Sequence, residues 1–310
     1  MSGNLYYHHG RFPVAGGVLP DAVTAYRLYG DPSKPCIVFP TCYGGRLERQ
    51  EYMIGPGKAL DTDEYFVVTI ALFSNGEPVP YNGPYFPDVS YEDNIRAQRA
   101  LLVDHLHITK IFSVIGFSMG GQQVDRRSNS PVPSFLEGPK AALIASKDFN
   151  EGHYTSTPQH GIRAFARVYS AWAYGQAWYR QHNHLFSGKY SNLNSFIREE
   201  WEQRYVSSWD ANDMLFLLRT LQNGDVSQIR DGGDLERCLK SIKAKMLVMP
   251  CKTDLYFTPE DCEYEVGLLE EGMGRLEVIE SIWGHVAGGG ADLEDLSFMT
   301  SRIKEFFAER

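Results

Sequence analysis

Ile111-Phe112-Ser113-Val114-Ile115-Gly116-Phe117-Ser118-Met119-Gly120-Gly121 decides the fold of this 310-residue chain. The run up to Ile115, mostly β-branched or aromatic, reads as a buried strand. It passes without a break into Gly-x-Ser-x-Gly, and Gly121 continues the small residues. The spacing predicts a sharp strand-to-helix turn with Ser118 at its apex. A serine at such an apex takes a strained backbone conformation, tolerable only where its neighbours lack side chains. The following helix points its positive N-terminal end at the serine. Ser118 is therefore the candidate nucleophile. The bland alternative is an ordinary turn serine, which the preceding strand and the flanking glycines disfavour.

Working upstream, Ala22–Leu28 reads as a strand closed by Gly30-Asp31-Pro32, Cys36–Phe39 as one stopped by Pro40, and Tyr65–Ala71 as a third. A helix is expected after Ser90, its cap, with Glu92 and Asp93 in the first turn. Ile95, Leu102, Val103 and Leu106 fall on one face of it. Strand–helix–strand order means right-handed crossovers and a parallel sheet. Downstream, Lys245–Met249 and Arg275–Ile279 resume the strands, and Thr258-Pro259 starts a helix. A last amphipathic helix carries Leu296, Met299, Ile303 and Phe306. Between these, residues 136–235 are aromatic and helical, with no strand-like run. The fold class is thus α/β, a mostly parallel central sheet flanked by helices. Residues 1–135 and 236–310 are expected to form the core, with 136–235 an inserted helical lid. Most lid aromatics are expected in its own core, with a few, Tyr174 chosen among them, lining an apolar pocket.

A serine hydroxyl needs a base to take its proton, and the base needs a carboxylate to hold it. Ligand sites in such sheets lie outside the carboxyl ends of the strands. The chain order to look for is serine, acid, histidine. Asp254 follows the strand ending at Met249-Pro250. His285 lies in Ser281-Ile282-Trp283-Gly284-His285, after the last strand. Glu260 and Asp261 compete as the acid, but a helix start explains them better. His8 and His9 belong to an expected loose terminus, and His105 and His107 to a helix end. His182 and His184 stand two apart, which does not suit ligands on one helical face. Stabilising an oxyanion needs backbone N–H groups. Met119, next to the nucleophile, should give one. The loop Pro40-Thr41-Cys42-Tyr43-Gly44-Gly45 should give the other from Cys42, with Thr41 beside it at the substrate. A plain tight loop is the alternative.

Composition excludes other classes. The formal net charge of -9, with no basic run, argues against a nucleic-acid partner. No apolar stretch is long enough to span a bilayer, and the opening residues carry no secretory pattern. Cys36, Cys42, Cys238, Cys251 and Cys262 lack metal or redox spacing, which suits reduced thiols in a cytoplasmic protein.

Taken together, the motifs resemble the homoserine O-acetyltransferase-like branch of the α/β-hydrolase superfamily. The matching stretches run nearly end to end: Leu19-Pro20-Asp21-Ala22 with Ala25-Tyr26, the segment 116–121, Trp209-Asp210-Ala211-Asn212-Asp213, the Asp254 loop and Gly284-His285. The resemblance implies the α/β-hydrolase fold, a Ser–His–Asp triad, a helical lid and ping-pong acyl transfer through an acyl-serine. It implies a small-molecule acyl ester or acyl-CoA as substrate, no cofactor, and carries a precedent of homodimers through the lid. Arg167 matches the arginine that meets the substrate carboxylate, with Arg163 one turn away as its rival.

Two departures change the expectation. True homoserine acetyltransferases carry an aspartate directly after the catalytic histidine, where it meets the substrate amine. Here that residue is Val286, which cannot pair an ammonium. The expected activity is therefore hydrolysis of a small ester or thioester, or O-acyl transfer to a less polar alcohol. The other departure is the polar, proline-bearing stretch 124–134, too short to supply both a helix and a strand. An absent internal segment is expected there, through a mis-joined exon, a splice variant or a natural shortening. A non-catalytic binding protein of the same fold is the rival this creates.

Overall fold

The structure, a computed structural model, describes residues 3–77, 83–123 and 132–309. The chain divides into two compact units, Met1–Ser128 with Asp213–Gly233 and Asn129–Asn212 with Asp234–Arg310. These units cut the chain elsewhere than the core-and-lid boundary expected at 136 and 235. The helix Val226–Arg230 and most of Ala211–Gln222 belong with the first unit.

The first unit holds a five-stranded sheet of order β1-β2-β4-β3-β5. Its strands are β1 Leu5–Val14, β2 Gly17–Tyr29, β3 Cys36–Pro40, β4 Phe66–Ile70 and β5 Ile111–Val114. β3 is parallel to both β4 and β5. Every residue of β3 and β4 is buried, as unbroken apolar runs in a parallel sheet should be. Among the described residues β5 pairs with β3 alone and ends the sheet.

The other edge departs from expectation. β1 and β2 form an antiparallel hairpin, and β2 is antiparallel to β4. His8 and His9 therefore lie in a strand, not in a loose terminus. Their polar run hides a half-buried edge: the His9 ring hydrogen-bonds Thr24 Oγ1 at 2.8 Å and meets Tyr7 edge-on at 4.5 Å. Burial, helped by His8, lowers the His9 pKa to about 4. The neutral ring is thus favoured in the fold. Its stabilising share is complete above the unfolded value of about 6.5 and is lost as pH falls from there towards 4. We expect the urea midpoint to drop between pH 7 and pH 5, and to drop less in His9→Gln. An equal drop in both proteins would refute this.

Helix Tyr91–Ala100 starts as expected, with Ser90 and Asp93 forming a capping box. Its inner face differs from the expected one. Ile95 is 41% exposed, while Tyr91, Asn94, Ala97 and Gln98 point inward. Asn94 is inside because its Oδ1 accepts the Phe73 N–H at 2.9 Å. The continuation Leu101–His105 is wound as a wider π turn, which brings both Leu101 and Leu102 into the core.

In the second unit β6 Met246–Val248 and β7 Gly274–Leu276 form a parallel pair of their own, extended by a bridge from Cys251 to Ile279. Thr258 Oγ1 caps the helix Pro259–Gly267 by accepting the Asp261 N–H at 3.2 Å. The final helix Leu293–Ala308 buries Asp295, Met299, Ile303 and Phe306. Trp178, Tyr190 and Phe196 make an aromatic core against which Tyr174, Tyr179, Trp201 and Trp283 pack. No described helix is long and apolar enough to cross a membrane.

Candidate active site

β5 delivers Ser118 in the manner expected of a nucleophile elbow. The chain leaves the sheet after Ile115, whose N–H still reaches Val38 O at 2.9 Å. Ser118 then sits at φ +52°, in the left-handed region. The glycines have no room for side chains. A Cβ on Gly116 would lie 2.3 Å from backbone atoms of Gly120 and Gly121, and one on Gly120 would lie 2.8 Å from Pro40 O. The elbow is thus pressed onto the loop after β3. A 3-10 turn, Ser118–Gln123, follows it. Met119 is fully buried, and Gln122 accepts the Tyr91 hydroxyl at 2.7 Å. Of the shortened stretch 124–134, residues 124–131 lie outside those described.

The loop after β3 is braced from within. Thr41 donates its N–H to Ile70 O at 2.9 Å, and its buried hydroxyl accepts from Leu72 N at 3.1 Å and Asn75 Nδ2 at 3.3 Å. Gln50 Nε2 reaches Phe39 O and Pro40 O at 2.6 and 2.7 Å. Thr41, expected beside the substrate, therefore uses both its N–H and its hydroxyl to shape the loop. Cys42, the expected second oxyanion donor, is the next residue of this loop. Its sulfur lies 2.7 Å from where a Gly45 Cβ would be. Burial pushes the Cys42 thiol up to about 11. At pH 7.5 roughly one thiol in 3,000 would then be ionised. We expect iodoacetamide to alkylate Cys42 slowly, the rate rising about tenfold per pH unit up to pH 9.5. A plateau below pH 9 in the mass-spectrometric time course would contradict that.

The second unit carries the acid and the histidine. His285 Nδ1 lies 2.9 Å from Asp254 Oδ2. The other oxygen, Oδ1, accepts the N–H groups of Tyr256 at 2.7 Å and Phe257 at 3.3 Å. Asp254 is buried, so the turn that follows it fixes which oxygen faces the imidazole. With Nδ1–H donated to Asp254, Nε2 is the nitrogen left to act as a base. Tyr256 stands edge-on to the His285 ring at 4.8 Å, and Phe257 lies at 5.5 Å. Glu260 and Asp261 lie in the first turn of their helix, as capping requires.

The turn 173–175 of the same unit touches the histidine loop. Gly284 sits at φ +64°, and a Cβ there would lie 2.6 Å from Gly175 N. A Cβ on Gly175 would lie 2.5 Å from Thr253 Oγ1. Val286 donates to Ala173 O at 3.3 Å. Tyr174 stacks on Trp178 at 3.9 Å and lies 6.3 Å from Trp283. Arg167 Nε donates to the buried Glu202 at 2.7 Å, and Arg163 pairs with the same carboxylate at 3.7 Å. The guanidinium expected to meet a substrate carboxylate is thus engaged within the lid. Sequence patterns missed Tyr256, Phe257, Thr253, Ser281 and Asp295. The one available signal was that Tyr256 and Phe257 directly follow the acid's turn.

No model of a known protein family matches the chain. It is 28% identical to the ethyl acetate hydrolase of Pseudomonas veronii, over 98% of this chain and 99% of that one. It is 30% identical to a probable esterase of Corynebacterium glutamicum, over 94% of this chain and 92% of the relative. A homoserine O-acetyltransferase of Methanococcus vannielii is 26% identical over 96% of this chain and 70% of its own. Among solved structures, the acetyl esterase MekB superposes with a TM-score of 0.92 at 26% identity, covering 99% of this chain and 97% of that one. The alignment with the ethyl acetate hydrolase runs over 353 positions against 310 residues here, so at least 43 positions face a gap in this chain. With an elbow at Ser118, an acid–histidine pair at Asp254 and His285, and relatives matched almost end to end, the chain belongs to the homoserine O-acetyltransferase-like branch of the α/β-hydrolase superfamily, whose members here are acyl-ester hydrolases and O-acyltransferases.

Proposed function

We propose that this protein hydrolyses short acyl esters, acetate esters first, through an acyl-serine on Ser118. The left-handed Ser118 in a glycine-locked turn carries this reading. Ser118 Oγ attacks the ester carbonyl carbon while His285 Nε2 takes the hydroxyl proton. Asp254 keeps the imidazole in the right tautomer and balances its charge. The N–H groups of Met119 and Cys42 receive the oxyanion. The alcohol leaves with the proton from His285. Water then attacks the acyl-serine and gives its proton to the same nitrogen; the tetrahedral intermediate collapses as that proton returns to Ser118 Oγ, and the acid departs.

Hydrolysis is favoured over transfer to homoserine because Val286 offers no carboxylate to an acceptor amine. Relatives named for acetate-ester hydrolysis align over nearly the whole chain, which supports the same substrate class. An acyl-CoA donor, a cytoplasmic location and a dimer through the lid rest on the resemblance and the composition alone. A fluorophosphonate probe tests the nucleophile: it should label the folded protein at Ser118, and Ser118→Ala should take no label. Folded protein without label would end the enzymatic reading.

One observation favours a second reading. At least 43 positions of the ethyl acetate hydrolase alignment face a gap, and among the described residues β5 ends one sheet while β6 and β7 form another. A chain that lost a helix and a strand behind its elbow would keep the site residues yet lack activity, serving as a binding protein. The same probe separates the two readings.

A further inference from the structure

Asp295 is a buried carboxylate with no part in the chemistry above. It lies on the inward stripe of the helix Leu293–Ala308, one turn before Met299 and in line with Ile303 and Phe306. Burial, with the negative charges of Asp292 and Glu294 adding to it, raises its pKa. An apolar residue would be the cheaper occupant of that stripe. What the carboxylate does instead is accept the Ser281 hydroxyl at 2.7 Å.

Ser281 opens the loop that ends in His285, and it is held through its hydroxyl, its carbonyl and its N–H, which reaches Ile279 O at 2.9 Å. Its Oγ accepts the Trp283 N–H at 3.1 Å. Its carbonyl accepts the Thr253 hydroxyl at 3.0 Å and the Cys251 thiol at 3.4 Å. Thr253 Oγ1 in turn accepts the Gly284 N–H at 3.1 Å, one residue from His285. Thr253 itself adjoins Asp254. The hydroxyl of Ser281 can accept from Trp283 in a fixed direction only if its own proton has somewhere to go. Asp295 is that acceptor.

We propose that Asp295 is a positioning residue for His285, acting through Ser281 to fix the turn Ser281–Gly284. This rests on the reading of His285 as the base. The chain of donors runs Trp283 N–H, Ser281 O–H, Asp295 carboxylate. Removing the last acceptor frees the Ser281 hydroxyl to rotate, loosens the Trp283 contact and lets the imidazole leave its line with Asp254. Misplacement on the order of 1 Å is enough to cost about 100-fold in rate.

The test compares Asp295→Asn, Asp295→Leu and Ser281→Ala in the full chain. Asparagine keeps an oxygen for Ser281, so Asp295→Asn should stay within about threefold of the parent kcat on p-nitrophenyl acetate. Asp295→Leu and Ser281→Ala should each lower kcat by about 10- to 100-fold with KM little changed, and the double variant should fall no further than the worse single. The downfield proton resonance of His285 Nδ1–H, present in the parent and in Asp295→Asn, should broaden or vanish in the other two. Parent-like kcat and resonance in Asp295→Leu would overturn the proposal, as would equal damage in Asp295→Asn and Asp295→Leu. If Asp295→Leu does not unfold cooperatively, Ser281→Ala against Asp295→Asn carries the same comparison. If the parent takes no fluorophosphonate and turns over no ester, the reading of Ser118 falls, and the resonance alone decides on Asp295.

Discussion

We expect Ser118→Ala to lose ester turnover by at least about 10⁴-fold while the folded protein keeps its stability. The first half follows from chemistry: without Oγ there is no acyl intermediate, and only the oxyanion donors and binding remain. The second half follows from the backbone. Ser118 is held at φ +52°, where any residue with a Cβ is strained by roughly 1–2 kcal/mol. Alanine inherits that strain, so its thermal midpoint should match the parent. Glycine does not inherit it, so Ser118→Gly should be more stable than Ser118→Ala by about 1 kcal/mol. Steady-state ester hydrolysis and thermal unfolding of the three proteins check both halves. A Ser118→Ala protein that retains a tenth of the activity would sink the assignment.

Asp254→Asn is the second large effect, about 10⁴-fold in kcat, and the structure gives it a direction. The two backbone N–H groups of Tyr256 and Phe257 already point at Oδ1. In asparagine the amide oxygen must take that place, because an NH₂ group there would face two donors. The amide nitrogen is then turned towards His285 Nδ1. The imidazole responds by accepting at Nδ1 and carrying its proton on Nε2, the nitrogen that should receive the serine proton. Raising the pH does not repair a wrong tautomer, so the loss should persist across the alkaline limb of the rate profile. Near-normal turnover at any pH would show that Asp254 does not orient the base.

The elbow was legible because its chemistry and its sterics use the same letters: the glycines that mark it in the sequence are the residues with no space for a Cβ. The expected acid and histidine were chosen by their order and their loops, and the structure brings those two side chains to 2.9 Å. The β1–β2 hairpin was not legible, because His8-His9-Gly10 reads as polar terminus while the strand buries only alternate parts of it. Ile95 was misplaced because the inner face of its helix is chosen by a hydrogen bond that Asn94 Oδ1 accepts from the Phe73 N–H in the loop after β4, and a hydrophobic pattern carries no trace of that. Asp295 was illegible for a related reason. On an amphipathic helix a carboxylate looks like the solvent side, and its partner Ser281 is 14 residues away in sequence.

The pressed pair Gly175 and Gly284 has an engineering consequence. The lid turn at 173–175 and the loop carrying the histidine are geared to one another, with no clearance for a methyl group between them. A substitution that enlarges either glycine, or hinges this turn, would displace the loop carrying His285 in the same stroke. Variation in this part of the chain has to enter at other positions, leaving these two glycines as the fixed axle of any redesign.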